Sequence, residues 1–124
     1  LKKNITEEDF KSLLAIKDNI VKMKLPQCEL NNSDVSQLKN FKNLVQLDLK
    51  DNPIKDQTIS SLQVLENLEV LNLVGTKITD ESFLVFENFK NLKRVYVWQT
   101  SIQKIFIEEF NKKQDKVELI GASF

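Results

Sequence analysis

Arg94, Tyr96 and Trp98 stand two residues apart, so in an extended segment all three project from one side. That trio suits recognition chemistry. Arg brings a rigid five-donor fork, while Tyr and Trp bring broad faces that bury area at low entropy cost. Catalytic equipment is scarce by comparison. The chain has no His, which removes imidazole ligands and every His-based general base or triad. Cys28 is the sole cysteine, so no internal disulfide and no thiolate metal cluster can form, and no metal is expected. Gly75 and Gly121 are the only glycines, too few for a phosphate-cradling loop, and no cofactor is implied. A paired-carboxylate hydrolase needs two acids on one surface, whereas the outward strand positions derived below hold only Asp48. The reading is therefore not an enzyme.

Bulk properties narrow the partner. A length of 124 residues suits a single domain spanning 1–124, and 41% hydrophobic content can fill a core. The 18 Lys+Arg balance 18 Asp+Glu, without the cationic surplus that counterion release demands, so no nucleic acid is expected. No apolar run approaches the roughly 20 residues that cross a bilayer, so direct membrane insertion is not expected. The first residue is Leu1, as in a processed chain or an excised fragment, so a missing leader says nothing about compartment.

The elements that position the trio emerge from self-comparison. Leu44-Val-Gln-Leu47-Asp-Leu49 recurs 24 residues on as Leu68-Glu-Val-Leu71-Asn-Leu73, and again as Leu92-Lys-Arg-Val95-Tyr-Val97. One step back lies Ile20-Val-Lys-Met23-Lys-Leu25. Further columns keep the register: Leu30, Ile54, Ile78 and Ile102, then Val35, Ile59, Phe83 and Ile107, then Leu38, Leu62, Phe86 and Phe110. Each unit starts with period-two alternation, predicting strands near 22–25, 46–49, 70–73 and 94–97. Apolar residues three apart follow (Ile59, Leu62, Leu65, Leu68; Phe83, Phe86, Phe89, Leu92), predicting a helix face. Asn32, Asp56 and Asp80 fall where the helices begin and suit an N-cap, whereas Lys104 in the fourth unit predicts a different or frayed start.

No unit can cover its apolar face alone, so the units must stack as a curved α/β solenoid, parallel strands on the concave side and helices on the convex side. Four 24-residue repeats over 20–112 are expected between terminal caps. Thr6-Glu-Glu-Asp9 is a capping box with Asp in place of Glu and opens an amino-terminal cap helix over 6–18. Residues 113–124 form the carboxyl-terminal cap, in which Val117-Glu-Leu119-Ile120 offers a last strand out of the 24-residue register that closes the sheet edge. Cys28, Asn52, Thr76 and Thr100 form a turn column suited to internal hydrogen bonding, which makes Cys28 a buried turn residue. Phe83, Phe86 and Phe89 are assigned to the core, and Phe106 falls between the inward columns.

L-x-x-L-x-L-x-x-[N/T/C]-x-[L/I] resembles the leucine-rich repeat signature, and it covers most of the chain. The stretches Asn67–Asp80 and Asn91–Thr100 are further similar to repeats of bacterial c-type cytochrome domain proteins found among planctomycetes and Bacteroidetes. That resemblance implies an extracytoplasmic location, periplasmic or at the cell surface, and a partner-binding appendage beside a haem-binding domain. The chain itself has no C-x-x-C-H, so any haem attachment lies outside it.

The outward strand positions form three columns: Lys22, Gln46, Val70 and Arg94; Lys24, Asp48, Asn72 and Tyr96; Pro26, Lys50, Val74 and Trp98. A protein partner is expected on Arg94, Tyr96 and Trp98, with Val70, Asn72 and Val74 as a shelf and Asp48 and Lys50 alongside. In the competing reading Trp98 and Tyr96 cover the last regular coil, Arg94 pairs with Glu118, and the chain is a structural spacer for a neighbouring haem-binding or surface domain. Four or five strands make a sheet only about 20 Å wide, less than a standard interface of roughly 800 Å² per partner needs.

Overall fold

The alternation of Lys22-Met-Lys24 and its successors becomes one sheet in the computed structural model, which describes residues 6–122. Its strands are β1 (Lys22–Lys24), β2 (Gln46–Asp48), β3 (Val70–Asn72), β4 (Arg94–Tyr96) and β5 (Glu118–Ile120). They are parallel and lie side by side in chain order. Met23 pairs with Leu47, Leu47 with Leu71, Leu71 with Val95 and Val95 with Leu119, and all five are buried. The fold is the leucine-rich repeat α/β solenoid that the repeat predicts.

β5 corrects the expectation for the carboxyl end. It sits in the 24-residue register, Arg94 opposite Glu118 and Tyr96 opposite Ile120, and so makes a fifth coil rather than an irregular closure. The sequence pattern hides it because Lys116 and Gly121 occupy columns held by Leu68 and Leu73, or by Leu92 and Val97, in earlier coils. Val117 and Leu119 are buried in their stead. Among the described residues β5 pairs with β4 alone.

Each return path is a short helix: α2 (Asn32–Ser36), α3 (Asp56–Ser61), α4 (Phe83–Asn88) and α5 (Lys104–Lys113), after α1 (Glu7–Leu14) at the front. The three-residue spacing was expected to mark one continuous α-helical face. Instead α3 gives way to a 3₁₀ turn over Leu62–Val64, and Leu65 and Leu68 lie beyond it, fully buried. A 3₁₀ turn has three residues per turn, so a spacing of three keeps facing the core where an α-helix would drift. α1 ends at Leu14, short of the expected 18, and a 3₁₀ turn at Lys17–Asn19 follows. α5 starts differently from α2, as Lys104 predicts. It begins at Lys104 without a side-chain cap and, at ten residues, is the longest helix among the described residues.

The caps shift by one residue. Thr6 and Asp9 form the expected box, Asp9 N–H donating to Thr6 Oγ1 at 3.2 Å and Thr6 N–H to Asp9 Oδ2 at 2.8 Å. For α2 the cap is Asn31, whose Oδ1 accepts from Asp34 N–H at 2.8 Å. Asn32, Asp56 and Asp80 are each the first residue inside a helix or 3₁₀ turn, not the N-cap. Two of these side chains are thereby free to reach the next coil. Asn32 Oδ1 accepts from the Thr58 hydroxyl, and Asp56 accepts from Ser82 Oγ at 2.5 Å, from Thr79 Oγ1 at 2.7 Å and from Thr79 N–H at 2.8 Å.

The core runs between sheet and helices as stacked columns. Leu38, Leu62 and Phe86 are fully buried, and so are Phe41, Leu65 and Phe89. Each such side chain contributes about 1.5–3 kcal/mol on burial. Phe10 of α1, fully buried, seals the front. Of the three Phe assigned to the core, Phe83 is only half-buried, its ring 4.9 Å from that of Phe110.

Polar ladders brace the coils alongside. Asn43, Asn67 and Asn91 each donate from Nδ2 to a carbonyl of the preceding coil, those of Asp18, Lys42 and Glu66, at 2.8, 3.3 and 2.6 Å. Asn52 accepts from the Cys28 and Leu30 amides at 3.0 and 3.1 Å and donates to the Leu25 carbonyl at 2.8 Å. Cys28 is buried as expected, its Sγ 3.4 Å from the Pro26 carbonyl. Gln27, Asp51, Gly75 and Gln99, 24 apart, all take positive φ (54°, 58°, 70° and 56°), so the first four coils leave their strands through the left-handed region.

Candidate functional site

The strand face carries a shallow depression of about 250 Å³ along the first two outward columns. Met23 and Leu47 lie at its floor. Lys22, Lys24, Gln46, Asp48, Val70, Asn72, Arg94 and Tyr96 line it, and no helix contributes. Strand alternation turns these side chains outward and the parallel register stacks them, so their grouping follows from the repeat alone.

Five of the eight expected site residues therefore meet there: Asp48, Val70, Asn72, Arg94 and Tyr96. The other three do not. Lys50 is exposed but lies outside the depression. Trp98 instead lines a separate end pocket of about 460 Å³ with Val97, Ile102, Leu119 and Ile120, its ring edge-on to Tyr96 at 5.8 Å between centroids. Val74, expected on the exposed shelf, is fully buried, and this corrects its assignment. Its column sets it between Lys50 and Trp98 in the neighbouring coils. Val74 lies beyond the end of β3 at Asn72, where strand alternation no longer applies.

Two of the depression's polar groups are partly committed. Asp48 Oδ1 accepts from Lys50 N–H at 3.0 Å, and Asn72 Oδ1 from Val74 N–H at 3.0 Å. These side chains turn the chain as it leaves β2 and β3, and the second carboxylate oxygen of Asp48 and the amide donors of Asn72 remain for a ligand. Lys22, Lys24 and Arg94 outnumber Asp48, so the depression attracts anionic groups. Arg94 faces Glu118 in the register, yet the pair is not among the ion pairs of the described residues. Those are Lys90–Glu66 at 3.5 Å, Lys93–Glu69 at 3.2 Å and Lys104–Glu108 at 3.8 Å.

Lys22, Lys24 and Gln46 belong to the depression although the aromatic trio drew attention to its other end; their place in the same two columns was the available signal. Among the described residues no group of three His, Cys, Asp or Glu could hold a metal ion, and no helix is long and apolar enough to cross a membrane.

Comparison with known proteins bears on the fold. The family model "Leucine Rich Repeat" matches residues 43–65. No curated protein matches the chain. Among solved structures the chain is similar to "Leiomodin-1 Actin-Binding Site 2 (ABS2)", with a TM-score of 0.69 at 10% identity over 97% of this chain and 81% of that one. Such low identity shows a shared fold alone. None of these comparisons bears on the likeness to cytochrome-associated repeats. The chain contains a leucine-rich repeat at 43–65 and has the fold of a leucine-rich repeat solenoid.

Proposed function

We propose that the chain is a non-catalytic protein-interaction module that receives its partner on the strand face. The observation that carries this reading is the depression itself, in which the repeat register lines up basic, amide and aromatic side chains on a rigid sheet. The similar leiomodin structure is that of an actin-binding site, so this fold serves protein binding elsewhere. A sheet about 20 Å wide gives a small contact, which favours modest affinity or an interface continued by a neighbouring domain. The resemblance at 67–80 and 91–100 supports placing the module in a larger extracytoplasmic bacterial protein, with 1–124 as a single domain.

One observation favours the second reading, a structural spacer. Val74 is fully buried and Trp98 lies at the end pocket, so part of the expected patch serves the coil rather than a ligand. Photo-crosslinking from position 72 in the native host, followed by titration of the captured protein, separates the two. Arg94→Ala and Tyr96→Ala are expected to weaken binding about 30-fold each, the loss of a central hot spot. Lys24→Ala is expected to alter mainly the association rate and its salt dependence. If both Arg94→Ala and Tyr96→Ala bind as the parent does, the spacer reading takes over.

A further inference from the structure

Two grooves on the helix side are closed by the same polar clasp, and the third is not. Asn32 holds Thr58 and Asp56 holds Ser82, each hydroxyl 26 residues after its acceptor. The next pair in that series is Asp80 and Phe106. Phenylalanine has no donor to offer. Phe106 is 40% exposed, and Asp80 is exposed, its carboxylate in no hydrogen bond or ion pair among the described residues. A groove of about 400 Å³ therefore opens between α4 and α5.

The chemistry of this groove is specific. Phe83 and Phe110, rings 4.9 Å apart, form its floor. Leu84, 73% exposed, stands on the α4 side and Phe106 on the α5 side. Asp80, Glu87 and Glu109 supply three carboxylates around them, against the ammonium of Lys113 in the lining and that of Lys116, which donates to the Glu87 carbonyl at 2.7 Å. On α5 the lining residues 106, 109, 110 and 113 fall at spacings of three, four and seven, one stripe along the helix. That stripe is about 10 Å long, two turns of a partner helix. Stacking of the coils accounts for neither exposed apolar side chain, since both point away from the core columns.

We propose that this groove docks a basic amphipathic helix from a partner protein. Apolar residues at i and i+4 seat between Leu84 and Phe106, and flanking Lys or Arg meet Asp80, Glu87 and Glu109. The charge pattern selects this occupant. A second copy of the chain would bring the same acidic rim against itself, and an anionic membrane would be repelled. The site is separate from the strand face and stands or falls independently of it.

The test uses the full chain, labelled with ¹⁵N, and three synthetic 14-residue helical peptides. The first carries Leu at i, i+4 and i+7 in a Lys/Arg background, the second has Glu in place of every Lys and Arg, and the third has Ala in place of every Leu. Chemical-shift changes confined to α4 and α5, seen with the first peptide alone, are expected. Phe106→Ser and the double change Glu87→Lys with Glu109→Lys should each weaken that binding at least tenfold while the spectrum of the strands stays unchanged. Equal binding of the second peptide, shifts centred on the strand face, or no binding by the first peptide would overturn the proposal. Concentration-dependent dimerisation abolished by Leu84→Lys would overturn it too, in favour of self-association.

Discussion

The Asp56 carboxylate accepts from both the backbone N–H and the hydroxyl of Thr79, at 2.8 and 2.7 Å, across the gap between two coils. One side chain thus joins the start of α3 to the 3₁₀ turn that leads into α4, and it also satisfies the fully buried Ser82. Hydrogen bonds to a charged group are each worth about 1.5–3 kcal/mol.

Asp56→Ala is expected to lower stability by about 2 kcal/mol, since it leaves a buried hydroxyl and an amide without their acceptor. Asp56→Asn keeps one acceptor oxygen and should lose less. Urea titrations check this, and an unchanged m-value would show that the folded state stays equally compact.

The left-handed column makes a prediction of opposite sign. Gln27, Asp51 and Gln99 hold positive φ that costs a side-chain-bearing residue about 1 kcal/mol or more. Gln99→Gly is expected to stabilise by a few tenths to about 1 kcal/mol, the strain relieved being partly offset by added chain entropy. Gly75→Ala should destabilise, because its Cβ meets both the φ of 70° and the Asp51 carboxylate. In an Asp51→Ala background that cost should shrink to the backbone part, a double-mutant cycle read by thermal or urea unfolding.

Trp98 and Arg94 should separate cleanly in stability. Truncating half-buried Trp98 removes the edge-on contact with Tyr96 and its part of the end-pocket lining, so Trp98→Ala is expected to cost about 2 kcal/mol. Exposed Arg94→Ala should stay within about 0.5 kcal/mol. Equal stabilities for the two variants would show that Trp98 covers nothing.

Cys28 should react with a thiol reagent only as fast as its coil opens. It is 8% exposed, and its amide is held by Asn52. Modification rates measured across urea concentrations are expected to follow local opening. A fast reaction in native buffer would place the thiol at the surface.

The sequence displays the sheet and the core columns because both depend on side-chain polarity at fixed spacing: Leu47, Leu71 and Val95 repeat at 24 and point inward. β5 was harder to see for the same reason, since Lys116 and Gly121 break the apolar columns while the backbone register carries on. The polar ladders lay in plain sight at Asn43, Asn67 and Asn91, but a polar residue names its partner only when the neighbouring coil is in place. The left-handed column shows itself in the sequence only at Gly75. In the candidate site, alternation found the outward residues of β1 to β4, but Val74 lies beyond the end of β3 at Asn72, where strand alternation no longer governs burial.

The chain-order sheet has a mechanical and kinetic corollary. Every strand bonds only to the coil before and the coil after, so no contact in the sheet waits for a segment more than about one coil away. Folding can then begin at any adjacent pair and grow outward by accretion. A pull applied at the two ends meets a series of similar links in line, not one clamp, and should peel coils singly from β1 or β5. Amide exchange should record the same gradient at rest, slowest in β3, the strand farthest from both ends.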